Sequence, residues 1–590
     1  MAKRTPGTSA TASTDPISNA AIAASFGLLA DLLEIRGESA FRIRAYRRAA
    51  ETLATLAEPL AAIRGRGELG QVPGVGAAIA DKIEQLLDTG RMRQLDEIER
   101  ETPVGVAALL AVPNIGPKRA RRLHAELGVG GLDDLRRALD DGRVDDLLGA
   151  GEAHRIGEGL ARVQAGGDGR LPLGVAHALA HDLLARLREA APSVERAVAA
   201  GSLRRGQETV GDLDLVAAAE EPGAVIEAFA ALSAVARVEG QGPTRCRVIL
   251  ANGVAADLWV LPPPHWGSLL VHVTGDQYHG IKLRHLALAR GGRLSEYGYT
   301  EGDRLTPFAT EEEVYAFFGM QFVPPPMRHD AGEIELALKG ELPAVVTRGD
   351  LRGDLHAHSD WSDGTLSLRE MARAARDLGH DYLAITDHSK GLAIANGLNA
   401  ERLRAQREEI AQVNREFAPF RLLQGVELEV RADGALDLAD DVLAELDLVV
   451  AAIHTGLGQE RARLTDRALA AIRHPLVDIL AHPTGRIVGG RPGGDFDLAA
   501  LVAEAARTGT VLEIDCDPSR LDLRDSHARE ALAAGVTLSI DSDAHSAAGL
   551  DNLDFGIDVA QSAWVPPGRV LNTLPLDALR RQLKRNRRRG

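Results

Sequence analysis

The chain has 590 residues, which at roughly 100–200 residues per domain predicts three to five domains and excludes a single small fold. Hydrophobic residues make up 45%, enough for several cores, yet no apolar run approaches the ~20 residues of a membrane span, and two distant cysteines, Cys246 and Cys516, cannot make a disulfide framework. The net charge of −16, from 68 basic against 84 acidic residues, argues at face value against a nucleic-acid partner and leaves that question to local motifs.

Residues 1–16 are rich in Ser, Thr and Ala without an apolar stretch, so they read as a disordered tail rather than a signal peptide, and a reducing cytoplasm is the default. Residues 17–171 are almost wholly helix-patterned and divide into one helical domain over 17–100 and another over 101–171. Each holds a glycine turn before a helix, Val72-Pro-Gly74-Val-Gly76 and Val112-Pro-Asn-Ile-Gly116. Such a turn exposes N–H groups at a positive helix end, where a backbone phosphate binds without sequence readout. Alone, each turn is as much an ordinary helix corner. Lys118, Arg119, Arg121 and Arg122 follow the second turn, a basic cluster set against the acidic total.

From 172 to 325 helices mix with short strands, among them 197–200, 214–217 and 257–261. Asp212 and Asp214, two apart, point to one face of a strand, and Asp257 opens another. Three carboxylates so placed can hold a pair of Mg²⁺ or Mn²⁺ ions for in-line phosphoryl transfer. Upstream, Gly201-Ser202 lets backbone N–H groups approach a phosphate, and Arg205 adds charge-assisted hydrogen bonds. A lone Asp-x-Asp is a weak signal. The whole set is specific.

That set, Gly201-Ser202, Arg205, Gly211-Asp212, Asp214 and Asp257, resembles the nucleotidyltransferases of DNA polymerase family X, such as DNA polymerase beta. The resemblance runs from about residue 17 to 325. It implies nucleotide-sugar contact at Thr274 and Gly275, template contact at Arg284, and helix–hairpin–helix DNA grips at Gly74, Gly76, Gly116 and Lys118. It also puts Tyr46 and Arg47 near a 5′-phosphate and Lys82 at the family's Schiff-base position for a deoxyribose-phosphate lyase. A solvated helix lysine is the other reading of Lys82, and Ala78 stands where the lyase keeps a supporting lysine. Two further departures are His272-Val273 in place of a Tyr-Phe pair and Trp259 in place of an arginine.

Prolines at 324–326 and an acidic, weakly patterned stretch mark 326–348 as a linker. After residue 349 short apolar runs alternate with helical segments in seven units, which argues a closed (β/α)7 barrel over 349–583. Just past the strand ends stand His356, His358, Asp363, His388, Glu427, His454, His482, Asp543 and His545. Strand C-termini of such a barrel converge on one mouth, so nine ligand-type residues there can gather two to three divalent ions, Mn²⁺, Zn²⁺ or Fe²⁺, for phosphoester hydrolysis. His380, His474 and His527 fall off the strand ends and read as ordinary histidines. The region resembles the PHP (polymerase and histidinol phosphatase) family, which opens with His-x-His and ends with Asp-x-His, and every position aligned with its metal ligands is filled here. The basic end, set off as a tail over 584–590, is either a phosphate-binding tail or a solvated terminus.

The combined reading is a multidomain α+β and α/β chain. It has a helical helix–hairpin–helix N-terminal region, a polymerase-beta-like nucleotidyltransferase palm and thumb, and a distorted (β/α)7 PHP barrel. It implies a monomeric, cytoplasmic family X DNA polymerase that takes gapped or primed DNA and dNTPs, binds no membrane and fills short gaps in DNA repair. The barrel would trim 3′ ends as an exonuclease, with apurinic-site endonuclease as a further activity of the family. The rivals are an inert structural barrel, or a small-molecule phosphatase beside a decayed polymerase half.

Overall fold

The computed structural model describes residues 19–56, 60–72, 74–112, 115–164 and 170–587, so the expected tail at 1–16 lies outside the described residues. The chain divides into two compact units, 1–169 and 170–590. Among the described residues no helix is long and apolar enough to cross a membrane.

The first unit is helical, and it holds two cores. Ile22, Phe26, Leu29 and Leu33 recur at spacings of three and four along the helix Asn19–Arg36 and pack on Ile79, Ile83 and Leu86 of Ala77–Thr89. The second core joins Val106 and Leu109 to Leu123, Leu135, Val144 and Ile156. Gly76 caps the helix Ala77–Thr89, and Gly116 caps Pro117–Leu127.

The second unit begins with a five-stranded mixed sheet. Its strands lie in the order Arg196–Ala199, Leu213–Ala218, Ala255–Leu261, Arg245–Leu250, Val235–Gln241, and only the second and third run parallel. Helices Trp266–Thr274 and Gln277–Ala289, a small antiparallel sheet and helix Glu311–Phe317 follow.

The stretch 326–348 is not a loose linker. Met327, Ile334 and Ala337 join the core of Val271, Leu283, Tyr299 and Tyr315, and Glu333–Lys339 is a helix. Arg328 is fully buried, its Nη1 2.8 Å from Glu311, and Glu333 lies 2.8 Å from the buried His279. The charges of this stretch are paired inside, which is how buried charge is tolerated. Val346 N–H then donates to the Val565 carbonyl of the barrel, 2.8 Å away.

The barrel strands are all parallel. They form one ladder of Gly353–Ala357, Tyr382–Ile385 and Arg421–Gln424, and another of Glu427–Glu429, Val450–Ala452, Ile479–Leu480, Val511–Asp515 and Leu538–Asp541. The expected third strand is split at Gly425-Val426, and bridges at His388–Glu427 and Ala357–Ala544 join the two ladders. The basic end docks. Lys584 Nζ donates to the Ile472 and His474 carbonyls at 2.6 and 2.8 Å, and Arg585 meets Asp478 at 2.8 Å and the Leu446 carbonyl at 2.6 Å. These partners precede strands, at the end opposite the mouth, so neither residue is a phosphate-binding tail. Residues 588–590 lie outside the described residues.

Two candidate active sites

The strand Leu213–Ala218 carries Asp214, and Asp212 stands two residues earlier on the same face. Its parallel register pairs Asp214 directly with Asp257 of the neighbouring strand, so the sheet brings the three carboxylates to one end. Asp257 is buried and meets Arg245 at 2.9 Å as well as Arg247, which also reaches Asp212 at 3.4 Å. Arg245 in turn lies 4.3 Å over the Trp259 ring, so a cation from the neighbouring strand stacks on the residue that replaces the expected arginine. Burial, then the charges of Asp212 and Asp257, push the Asp214 carboxyl up to about 7. That excess of negative charge fits cations, although among the described residues this trio is not one of the donor sets that close within 4.8 Å. Arg245 and Arg247 partly offset the mutual repulsion of the three carboxylates.

Gly201 has φ +57, and a Cβ there would run into the Asp214 carboxylate. Ser202 follows in the short helix Gly201–Arg204 and is half-buried. Arg205 donates to the Thr274 carbonyl beside Gly275, and Arg204 donates to Thr274 Oγ1 at 2.8 Å, so the two segments singled out for the nucleotide meet. Gly211 is exposed before Asp212, and Arg284 is exposed on Gln277–Ala289. His272 is exposed, 5.9 Å from the Trp259 ring. Gly201→Ala should cost about 10²-fold in primer extension, because a left-handed backbone and a clash with the Asp214 carboxylate coincide. Extension and 3′ degradation assayed on the same preparation check it, with degradation unchanged.

In the barrel all nine expected residues converge. Donor atoms of His356, His358, Glu427 and Asp543 lie within 4.8 Å of one another, as do those of His358, Asp363, His388 and His545, and those of His388, Glu427 and His454. The sets share His358, His388 and Glu427, which describes adjoining pockets for two or three ions. His482 Nε2 completes the ring 2.8 Å from Glu427. His356 Nε2, His358 Nδ1, His388 Nδ1, His482 Nδ1 and Glu427 Oε2 are buried without a hydrogen bond. Buried nitrogens and a carboxylate oxygen left without hydrogen bonds fit divalent metal ions. Burial opposes charge on His388 and His454, yet Glu427 and its neighbours push their pKa values up to about 10 and about 9, so protons stand where cations would and must leave on metal binding. His482 and Asp543 have φ of 28 and 50, strain of the kind that collects at working sites.

Sequence reasoning missed the groups that orient these candidate ligands. Glu513 holds His356 Nδ1 at 2.7 Å, and Glu429 holds His454 Nδ1 at 2.8 Å, each leaving the other ring nitrogen for a metal. The available signal was parity: Glu429 stands two residues past Glu427 in one strand, and Glu513 interrupts an apolar strand. Arg520, with Nε 3.5 Å from Asp515 and 3.8 Å from Asp543, is a further cation against the cluster, suited to a phosphate oxygen. Glu513→Gln should weaken metal affinity roughly 10–100-fold, read by metal titration of the purified chain. Among the described residues His380, His474 and His527 join no donor set; His474 pairs with Asp440 at 3.3 Å, and burial pushes the other two down to about 4.

In the helical unit, Tyr46 is buried with Lys82 Nζ 5.5 Å over its ring. Lys82 also donates to the Ala78 carbonyl at 3.2 Å. Arg47 is committed to Asp31 and Glu34. Gly74, Gly76 and Gly116 lie exposed at their turns, and Lys118 is exposed beside Gly116.

Residues 17–92 match a helix–hairpin–helix domain family, 67–129 a SAM-like helix–hairpin–helix tandem, 269–329 the DNA polymerase beta thumb, and 354–510 the PHP domain. The chain is 37% identical over 563 residues to the DNA polymerase/3′–5′ exonuclease PolX of Bacillus subtilis, covering 95% of this chain and 98% of the relative. Its C-terminal part is similar to probable phosphatases. One from Edwardsiella ictaluri is 32% identical over 243 residues, 39% of this chain and 94% of the relative. Another from Shewanella oneidensis is 28% identical over 237 residues, 38% of this chain and 89% of the relative.

Proposed function

Because the chain belongs to DNA polymerase family X, in the PolX branch that carries a PHP domain, it is a DNA polymerase with a 3′–5′ exonuclease, and we propose that the two activities are divided between palm and barrel. The observation that carries this division is the presence of two separate carboxylate-bearing sites, one on the palm sheet and one at the barrel mouth. Residues 17–171 grip DNA, 172–325 carry nucleotidyl transfer, and 349–583 carry phosphoester cleavage.

In the palm, Asp212, Asp214 and Asp257 hold Mg²⁺ or Mn²⁺. Ser202 and Arg205 take the triphosphate, with Gly201 and Gly211 leaving room for backbone approach. Thr274 and Gly275 support the sugar, and Arg284 faces the template. Arg245 and Arg247 restrain Asp257 until it is engaged. In the barrel, His356, His358, Asp363, His388, Glu427, His454, His482, Asp543 and His545 hold two to three divalent ions, and Arg520 neutralises the phosphodiester at the 3′ end. Bound divalent cations supply Lewis acidity at phosphorus, a lowered pKa for the attacking group and stabilisation of the leaving oxygen. Gly74, Gly76, Gly116 and Lys118 take backbone phosphates without reading sequence. Tyr46 and Lys82, brought together here, form the candidate lyase site at a 5′-phosphate; Arg47, paired with two carboxylates, is the weaker member.

The substrates are gapped or primed DNA and dNTPs, in a monomer acting in the cytoplasm on short repair gaps. Apurinic-site cleavage is a second outlet for the same barrel. The rival of an inert barrel is disfavoured by nine converging ligands with bare donors, and that of a decayed polymerase by the complete carboxylate trio. A 5′-labelled primer on one-nucleotide-gapped DNA with Mn²⁺ tests the whole reading. Extension with dNTPs, shortening without them, and loss of both on chelation are expected; a product pattern unchanged by chelator would sink it.

A further inference from the structure

The palm segment that carries Gly201, Ser202 and Arg205 does not end in solvent. It runs through Gly206 and Gln207 to Glu208, and there it meets the barrel. Glu208 lies 2.7 Å from Nη2 of Arg486 through one carboxylate oxygen and 2.7 Å from Nη2 of Arg524 through the other. The fit around this contact is close. Gly206 has φ +65, and a Cβ there would stand 2.5 Å from the Asp558 Cβ of the barrel; one at Gly174 would stand 2.8 Å from Pro518. The Glu208 carbonyl accepts from Leu173 N–H at 3.0 Å, and Gln207 N–H donates to the Ser202 carbonyl at 3.1 Å, so Glu208 is tied to the turn by backbone as well as by sequence.

Both arginines are themselves anchored. Arg486 stands four residues past His482, and Thr484 and Gly485 between them donate to the buried Asp522 at 2.9 and 2.8 Å. Arg524 follows Asp522 by two residues, so one buried carboxylate fixes the loops that present both cations. On the other side of the turn, Arg204 is held by Glu311 at 2.6 Å. Arg205 therefore lies between two fixed anchors, Arg204 and Glu208, and Ser202 is tied to the same turn through its carbonyl and Gln207 N–H. Although burial opposes it, the two arginines hold the Glu208 carboxylate at about 2, so the ion pairs persist throughout the neutral range.

We propose that Glu208, Arg486 and Arg524 form a positioning clasp by which the barrel holds the palm's triphosphate-binding turn in register. The barrel thereby acts in nucleotide binding without touching the nucleotide. Removing the clasp frees the turn on one side only, so it loosens the grip on the incoming nucleotide while the DNA grip, which lies elsewhere, is untouched. The proposal rests on the reading of Gly201–Arg205 as the nucleotide turn, and a control separates the two.

The test uses full-length Glu208→Gln, Arg524→Gln, the double variant, and Glu208→Asp as a milder change that keeps the charge. For each, KM for dNTP and kcat in one-nucleotide gap filling, Kd for gapped DNA, and Tm are measured, with Asp212→Ala as the control. Glu208→Gln should raise KM for dNTP about tenfold with Kd for DNA unchanged, the double variant should be no worse than the single ones, and Glu208→Asp should fall between them and wild type. An unchanged KM in all variants, effects that add in the double, or a loss confined to kcat that follows Tm would overturn the clasp. Extension surviving in Asp212→Ala would instead overturn the palm reading on which it rests.

Discussion

Glu427→Gln is expected to lower 3′–5′ degradation by about 10³-fold or more, equivalent to about 4 kcal/mol of transition-state stabilisation, and to leave primer extension within about twofold of wild type. Glu427 meets five histidines of the cluster. One carboxylate oxygen lies 2.8 Å from His388, 3.4 Å from His356 and 3.5 Å from His358, and the other lies 2.8 Å from His482 and 3.1 Å from His454. Burial works against its charge, yet His388, His454 and His356 hold its carboxyl well below the usual range. Glutamine keeps the volume but loses the charge that lets one group serve adjoining ions. Metal content of the variant, read by elemental analysis after gel filtration, should fall by at least one ion per chain.

Asp257→Ala is expected to remove primer extension by a similar factor, about 10³-fold or more, and to leave degradation intact. Asp257 is buried and is the register partner of Asp214, so its loss leaves only two of the three carboxylates. It also releases Arg245 and Arg247 to the remaining acids, which places positive charge where a divalent cation belongs. Single-nucleotide gap filling with Mg²⁺ and with Mn²⁺ measures the loss. Neither ion should restore activity.

The converging barrel residues stood out in sequence because most sit at or just past an apolar run, where a histidine or acid has no packing reason to be, although His356 lies within the strand Gly353–Ala357 and Glu427 opens Glu427–Glu429. Seven strand units were legible for the same reason, and only the break at Gly425-Val426 escaped, since a parallel strand that bends at a glycine still reads as one run. The palm carboxylates were legible by parity and spacing. Their restraint by Arg245 and Arg247 was not, because that depends on an antiparallel register that no local pattern fixes. Contacts between distant segments were the least visible. Glu208 and Arg524 are 316 residues apart, and nothing near either one announces the other. Local reading also misjudged 326–348 and the basic end, where Arg328, Lys584 and Arg585 meet carboxylates and carbonyls inside the fold instead of solvent.

The central claim is that two independent metal sites on one chain carry opposite chemistries. It is tested most directly by running wild type, Asp257→Ala and Glu427→Gln side by side on one 5′-labelled primer in gapped DNA with Mn²⁺, with and without dNTPs. The account predicts that Asp257→Ala shortens the primer but does not extend it, and that Glu427→Gln extends it but does not shorten it. Shortening that survives Glu427→Gln and disappears with Asp257→Ala would contradict the account, because the nuclease would then belong to the palm.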